Sequence, residues 1–419
     1  MEILTTGEKI KRARIYKGLT LKDLCGEKLS VSKLSCIEND KIKAEPETLK
    51  FISEKLGIDY EYLIESTKVQ IENNIKIFSN KNNIKDYEEV LEYNLSYALE
   101  YNYYDISFQL MHMLILYYLE EEKSQNVQML TSQYYDIYNR SSADMNFLTY
   151  HSDMGTYFFQ SKEYNQAVNY YNNMRDYLEE KDNKNYEKMA DVIYNEINCY
   201  IMAKKYGNAY ELAGRLKKLI DYVTDKIEKG KMYHVLAILA LKMGESSFAE
   251  YEKATYECYD KSVKLWCNAV FDFACCLFER KETDKAVEYI TQGLDLCRNE
   301  DNDYRVRFMI KCVGELVENG ILDISQTTCD EALNIAIMID NIKYIERTYY
   351  YKSVILQKQG NYIPAEMYMN LSMDALFKCG NKYDRYTRYL EMGNMYHKLG
   401  QVSDAIKYLS LAVLLEKKL

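Results

Sequence analysis

Ser32, Lys33, Ser35, Cys36 and Asn39 crowd into one short stretch, SKLSCIEN. On a helix they fall largely opposite Val31, Leu34 and Ile37, which recur every three positions as an apolar stripe. A helical face that is short, polar and lightly basic enters a DNA major groove without clashing and can hydrogen-bond base edges. Lys11 and Lys17 before this stretch, and Lys41 and Lys43 after it, could meet phosphates, which position a protein without reading sequence. Thr20, at the start of the preceding helix, completes the candidate DNA contacts. Spacing alone suits an ordinary helical hairpin with a solvated face equally well.

Other chemistry is poorly served. The eleven cysteines are odd in number and irregularly spaced, with no Cys-x-x-Cys, and Cys275 and Cys276 are adjacent. They read mostly as small buried apolar residues. His112, His151, His234 and His397 lie far apart, with no second His at i+4. There is no nucleophile motif and no phosphate loop. The expectation is a protein that is not an enzyme and carries neither metal nor cofactor.

The elements that would position the polar face are short helices. Thr6 caps the first, which runs to Lys17 with Ile10 and Ala13 inward and Gly18 as its stop. Thr20 caps the second, whose Leu21 and Leu24 face in. Ser30 or Ser32 caps the third. Pro46 introduces a fourth, Glu47–Leu56, ended by Gly57, and Asp59 caps a fifth through Tyr60–Ser66. Five helices in residues 1–66 make one small domain. The whole chain carries net charge −10, yet residues 1–43 hold ten Lys/Arg against six acids, so −14 resides in the remainder. An acidic body with a basic tip would hold DNA at the tip.

GLTLKDLCGEKLSVSKLSCIENDK resembles the helix-turn-helix of Xre/Cro-type repressors, in the variant found in RRNPP regulators, the peptide-pheromone receptors of Gram-positive bacteria. Their pattern, a basic first helix, G-L/M-T, L-A, then S-V-S-x-L-S-x-I-E-N, reads here KRARIYKGLT, DLC and SVSKLSCIEN. The resemblance implies that Arg14 braces Glu38 and does not contact DNA. Leu21 stands where many relatives carry a DNA-contacting Gln. KIKRARIYKGLTLKDLC and SVSKLSCIEN are most similar to RstA-type regulators of clostridial sporulation and toxin genes, which implies developmental control.

Residues 67–419 repeat themselves. Two Pro and 16 Gly argue for long helices. Gly393, Tyr396, Gly400, Ala405 and Ala412 set out a small residue, an aromatic, a turn and two alanines; Gly155, Phe158, Tyr164, Ala167 and Tyr171 do the same. Gly360-x-Tyr362-x-x-Ala365 and Tyr206-x-x-Ala209 mark further copies, with weaker ones at Val127, Ala249, Ala286, Ser325 and Val90. This resembles tetratricopeptide (TPR) repeats with a period of about 40 in place of the usual 34, although other helical hairpins share such a period. The expected fold is all-α: a helix-turn-helix domain, then a right-handed superhelix of eight or nine hairpins whose first helices line a groove.

The RRNPP resemblance covers this arrangement. It implies a short signalling peptide in the groove, its backbone clamped by inner-face asparagines, since an amide side chain both donates and accepts. Counting about 8, 11 and 15 residues upstream of each alanine places Tyr194, Asn198, Asn394 and His397 on that face, with Thr156, Gln357 and Tyr350. Arg347, one turn before Tyr350, could hold a peptide carboxylate. Double-stranded operator DNA is the second partner, and a homodimer reading two half-sites is expected. No apolar leader or 18-residue apolar span is present, so a cytoplasmic location is expected. The alternative is a repeat scaffold or a phosphatase acting on a response regulator.

Overall fold

The computed structural model describes residues 2–78, 86–142, 145–181, 185–260 and 262–417, and the regular structure among them is helical with no strand. It divides into two compact units, Met1–Asn185 and Tyr186–Leu419. The first begins with five short helices: α1 (Thr6–Tyr16), α2 (Leu21–Cys25), α3 (Val31–Glu38), α4 (Pro46–Leu56) and α5 (Tyr60–Ile64). Ile10, Leu24, Leu34, Ile37, Ile52, Leu56 and Leu63 form their common core.

The expected starts need two corrections. Thr5, not Thr6, caps α1, in a reciprocal box with Glu8. The Thr6 hydroxyl instead donates to the Leu63 carbonyl at 3.1 Å. Val31 is 44% exposed. It is the first residue of α3, and the stripe meets the core only from Leu34 onward. Thr20 and Ser30 cap α2 and α3.

A looser pair follows, α6 (Thr67–Phe78) and α7 (Tyr87–Glu100), the latter containing Val90. Hairpins then succeed one another. The first unit holds α8 (Tyr104–Glu120) with α9 (Ser124–Arg140), and α10 (Met145–Gln160) with α11 (Tyr164–Glu180). The second holds α12 (Tyr186–Met202) with α13 (Tyr206–Leu219), α14 (Lys226–Met243) with α15 (Phe248–Tyr259), and α16 (Val263–Glu279) with α17 (Thr283–Leu296). It continues with α18 (Asn302–Glu318) and α19 (Leu322–Met338), α20 (Ile342–Lys358) and α21 (Tyr362–Cys379), and α22 (Lys382–Lys398) and α23 (Val402–Glu416).

Each hairpin turns through a left-handed residue: Glu122, Lys162, Lys204, Gly244, Lys281, Gly320, Gly360 and Gly400. Five residues later comes the small anchor of the second helix. Val127, Ala167, Ala209, Ala286, Ser325, Ala365 and Ala405 are all buried. Ala249 is exposed, because α15 starts only at Phe248 and presents another face. There the close contact is made from the other side, by Gly230 beneath the Tyr259 ring.

Within the second unit α12 touches α14, α14 touches α16, α16 touches α18 and α18 touches α20, whereas successive second helices do not pack comparably. The first helices are therefore the tighter, inner layer, as expected when stacked hairpins curve toward one face.

Close crossing demands small residues only at particular places. A Cβ on Gly155 would lie 2.8 Å from the Tyr171 ring, whereas one on Gly214, inside α13, meets nothing within 4 Å. Gly155→Ala should therefore destabilise by about 1–3 kcal/mol through overpacking. Gly214→Ala should stabilise by roughly 0.5–1 kcal/mol through helix propensity. Urea unfolding of the two variants checks the opposite signs.

Candidate DNA interface and inner repeat face

The orientation of α3 is fixed from behind. Arg14 on α1 donates to Glu38 through Nε at 2.6 Å and Nη2 at 2.9 Å, and its Nη1 donates to the Leu19 carbonyl at 2.8 Å. The Glu38 side chain is only 4% exposed, so this two-pronged pair supplies what water cannot. The same bond to Glu38 raises the Arg14 pKa. Asp40, in the left-handed region just past α3, accepts from the Gly7 amide at 3.1 Å and from the Thr5 hydroxyl, tying the end of α3 to the start of α1.

With Leu34, Ile37 and Glu38 buried, α3 presents the remaining residues outward. Ser32 and Asn39 are exposed, and Lys33, Ser35 and Cys36 are half-buried. Lys33 Nζ lies 3.7 Å from Glu45. Two of the candidate contacts have local work. The Asn39 amide donates to the Ser35 carbonyl at 2.7 Å, and the Thr20 hydroxyl caps α2 while bonding Asp23 at 2.6 Å. Lys11, Lys17, Lys41 and Lys43 are exposed. Arg12, another basic residue of α1, pairs with Glu2.

The domain is fastened to the first hairpins by residues that sequence reasoning missed. Ile3 is fully buried in the core of α6–α10, and its amide donates to the Tyr93 hydroxyl at 3.2 Å. The Gln70 side chain accepts from the Leu4 amide at 3.0 Å and donates to the Leu4 carbonyl at 2.9 Å, as a neighbouring strand would. Inside the domain Lys9, 1% exposed, ties α1 to α5: its ammonium donates to the carbonyls of Tyr62 (2.7 Å) and Glu65 (2.8 Å) at the end of α5. Burial lowers its pKa, against the pull of Glu65. A lysine beside Ile10 on the inward face of α1 was the one available signal.

On the repeats, Asn198 donates to the Tyr194 carbonyl at 3.1 Å, and burial raises the Tyr194 phenol. Arg347 lies 5.1 Å over the Tyr350 ring, so these two stand together on α20. The Tyr350 hydroxyl is engaged, donating to Glu391 at 2.8 Å, and Gln357 donates to Ser353 at 3.2 Å. Asn394 and His397 are exposed on α22. Thr156, in the first unit, donates to the Ser152 carbonyl at 2.9 Å.

A recurring link runs between the middles of successive first helices. His112 Nδ1 lies 2.7 Å from Asp153, which also accepts from Tyr134 at 2.6 Å. His234 Nε2 lies 3.6 Å from Asp272, and Tyr350 meets Glu391 in the same way. Asp272 is 40% exposed and accepts no hydrogen bond among the described residues; Lys311 stands 3.8 Å away. Though partly open to solvent, its carboxyl is crowded by the surrounding helices, and this desolvation pushes it up to about 6, with Lys311 opposing. Burial, aided by Lys311, takes His234 down to about 4. A cleft beside Tyr256 and Trp266 lies on the outer side, between α15 and α16. No group of three or more potential metal ligands, and no helix long and apolar enough to cross a membrane, occurs among the described residues.

Residues 7–69 match the family described as a helix-turn-helix domain. No curated protein sequence matches the chain. Among solved structures, the chain is similar to the apo form of the quorum sensor NprR from B. thuringiensis, at 12% identity over 83% of this chain and 93% of that one, with a TM-score of 0.46. It is similar to aspartyl phosphate phosphatase F from Bacillus subtilis, at 13% identity over 99% and 96% of the two chains, with a TM-score of 0.44. Bacillus thuringiensis PlcR, in complex with the peptide PapR7 and DNA, shares 15% identity over 62% of this chain and 96% of that one, with a TM-score of 0.36.

Two outcomes follow. Arg14→Met strands the buried Glu38 carboxylate and should cost about 3 kcal/mol or more, while Arg14→Met with Glu38→Leu recovers much of it. Native-state hydrogen exchange of α1 and α3 amides measures both. In the repeats, His234 binds its proton less readily folded than unfolded, so it erodes stability as pH falls from 6.5 toward 4. Asp272 binds its proton more readily folded, so it adds stability as pH falls through about 6 toward its ordinary value near 3.8. Asp272→Asn should make the repeats more acid-sensitive between pH 6.5 and 4.5, and His234→Gln less so, read as urea midpoints against pH.

Proposed function

We propose that this chain is a peptide-responsive transcription regulator of RRNPP type. The observation that carries the reading is α3: capped by Ser30, braced from behind by Arg14–Glu38, and turned so that Ser32 and Lys33 face away from the core of a helix-turn-helix domain. In this reading Ser32, Lys33, Ser35 and Cys36 meet base edges, with Thr20 and Asn39 at the ends of their helices. Lys11, Lys17, Lys41 and Lys43 meet phosphates. One such helix reads few bases, so two copies of the chain would read paired half-sites.

The repeats supply the sensor. Their inner layer of first helices offers a lengthwise face to an extended peptide, with Tyr194, Asn198, Arg347, Tyr350, Gln357, Asn394 and His397 in the second unit and Thr156 in the first. A peptide would shift DNA binding only as far as it favours one conformation over another. The resemblance of KIKRARIYKGLTLKDLC and SVSKLSCIEN to RstA-type regulators supports developmental genes as targets and a cytoplasmic setting. A response regulator as an additional partner is compatible with the repeats and has no residue here that specifically favours it.

The test begins with duplexes selected from a random pool by the full-length protein. Ser32→Ala with Lys33→Ala should abolish their specific retention in a mobility-shift assay while circular dichroism stays unchanged. Lys41→Ala should weaken all duplexes alike and reduce the salt slope by about one. Undiminished selective binding by the Ser32/Lys33 variant would remove α3 from the reading role.

A further inference from the structure

Arginines on the repeats are mostly spoken for. Arg280 pairs with Glu282, Arg298 with Asp295, Arg305 with Glu331 and Arg388 with Glu346. Arg385 caps α21 through the Phe377 and Gly380 carbonyls. Arg307 and Arg347 differ. Each is exposed, and neither has a carboxylate within 4 Å among the described residues, although the repeat body is strongly acidic.

Their positions match. Arg307 is the sixth residue of α18 and Arg347 the sixth of α20, the equivalent place in two successive first helices that pack side by side. The Tyr351 hydroxyl that Arg347 bonds lies against Gly314, seven residues beyond Arg307 on α18, so the two guanidinium groups are offset along the helices by up to about 10 Å. Both guanidinium groups rest on aromatic rings: Arg307 5.7 Å over Tyr304, Arg347 4.9 Å over Tyr351. Arg347 also donates to the Tyr351 hydroxyl at 3.2 Å. Stacking orders the arginines and leaves in-plane N–H groups free for an oxyanion.

From these observations we infer that Arg307 and Arg347 form a two-pronged receptor for an acidic peptide, one carboxylate to each guanidinium. This rests on the reading of the inner layer as a peptide-binding face and adds the chemistry of its ligand. Packed helix axes lie about 8–10 Å apart, and an extended chain advances about 3.3 Å per residue with alternating side chains. On one face of the chain the two acids therefore stand two to four residues apart, or one acid lies that far before a free C-terminus. A nucleic acid is the poorer occupant. The repeat body is acidic as a whole, and a polyanion with a charge on every residue would meet more repulsion there than a peptide with two carboxylates.

The test uses the immobilised full-length chain and a random heptapeptide pool, with retained peptides sequenced by mass spectrometry. The wild type should enrich peptides with acids at i and i+2 or i+4, or two to four residues before the C-terminus, at least tenfold over the pool. Arg307→Gln with Arg347→Gln should lose that preference while its melting curve is unchanged, and each single variant should lose part of it. Enrichment without acids, or the same acids retained by the double variant, overturns the arginine receptor and leaves the peptide-binding face standing. Absence of any enriched peptide overturns both. Single-stranded oligonucleotides held by the wild type and released by the double variant would reassign the arginines to nucleic acid and overturn the proposal.

Discussion

A hairpin of two helices, each about seventeen residues long, has more apolar surface than its own halves can cover. Everything beyond residue 100 in this chain follows from that shortfall. Each hairpin must be stacked on by the next, and the stack closes only where backbones approach closely. Gly155 under Tyr171, Gly230 under Tyr259 and Gly393 against Leu409 close the two helices of one hairpin, and Gly293 against Phe308 and Gly314 against Tyr351 close one hairpin on the next, with no room for a Cβ. Polar links then join residues one repeat apart: Lys242 with Glu279, Lys358 with the Val317 carbonyl, Arg388 with Glu346. The last is buried, with Glu346 also accepting from Ser372 at 2.7 Å. Such a buried pair contributes little net stability against an apolar replacement, but it penalises any shift of one hairpin against the next, because a displaced carboxylate would lie unsolvated.

The repeat rhythm was legible because small residues and turns are the points where sequence has least freedom. Gly155, Ala167, Gly393 and Ala405 announce a helix crossing from their types alone. The Ser325 copy, weak as a motif, stands at full strength in the structure because Ser325 is buried at the same offset from a left-handed Gly320. Where turn chemistry departs, as in the delayed start of α15, the anchor letter misleads and Ala249 points to water. Helix starts were legible to within a residue. Thr5 and Thr6 are chemically equivalent caps, and the choice falls to Thr5 because Glu8 and Asp40 can both reach it.

Sites were harder to read than elements. The outward face of α3 could be inferred, since a stripe defines its own reverse side. Residues that act through distant partners could not. Gln70 looks like any polar helix residue until it is seen bridging both polar groups of Leu4, 66 positions away. Arg307 carries no sequence signal either. It becomes conspicuous only when neighbouring arginines are seen to have acids and it has none. The count that found Tyr194 also lands on His234, fifteen residues before Ala249, and within one residue of Asp272, fourteen before Ala286, but a lone His and a lone Asp carry no sign in the sequence that they face each other.

The junction between the small domain and the first hairpins bears on how a signal could be used. Ile3 lies in the repeat core, and removing such a side chain from water is worth about 1.5–3 kcal/mol. Gln70 on α6 adds bonds to the Leu4 amide and carbonyl and to the Glu65 carbonyl at the end of α5, while Lys9 ties α1 to α5 inside the domain. The domain is thus seated on α6 and α7 with an interaction of a few kcal/mol, in addition to the covalent connection after α5. A seat of that size can be biased: differential binding of about 3 kcal/mol shifts a two-state equilibrium roughly 150-fold. A much stronger seat would hold α3 in one attitude whatever the repeats met, and a much weaker one would leave it indifferent to them. Gln70 gives the seat its specificity: it meets both polar groups of Leu4, so the cost of unseating depends on two particular hydrogen bonds as well as on apolar area.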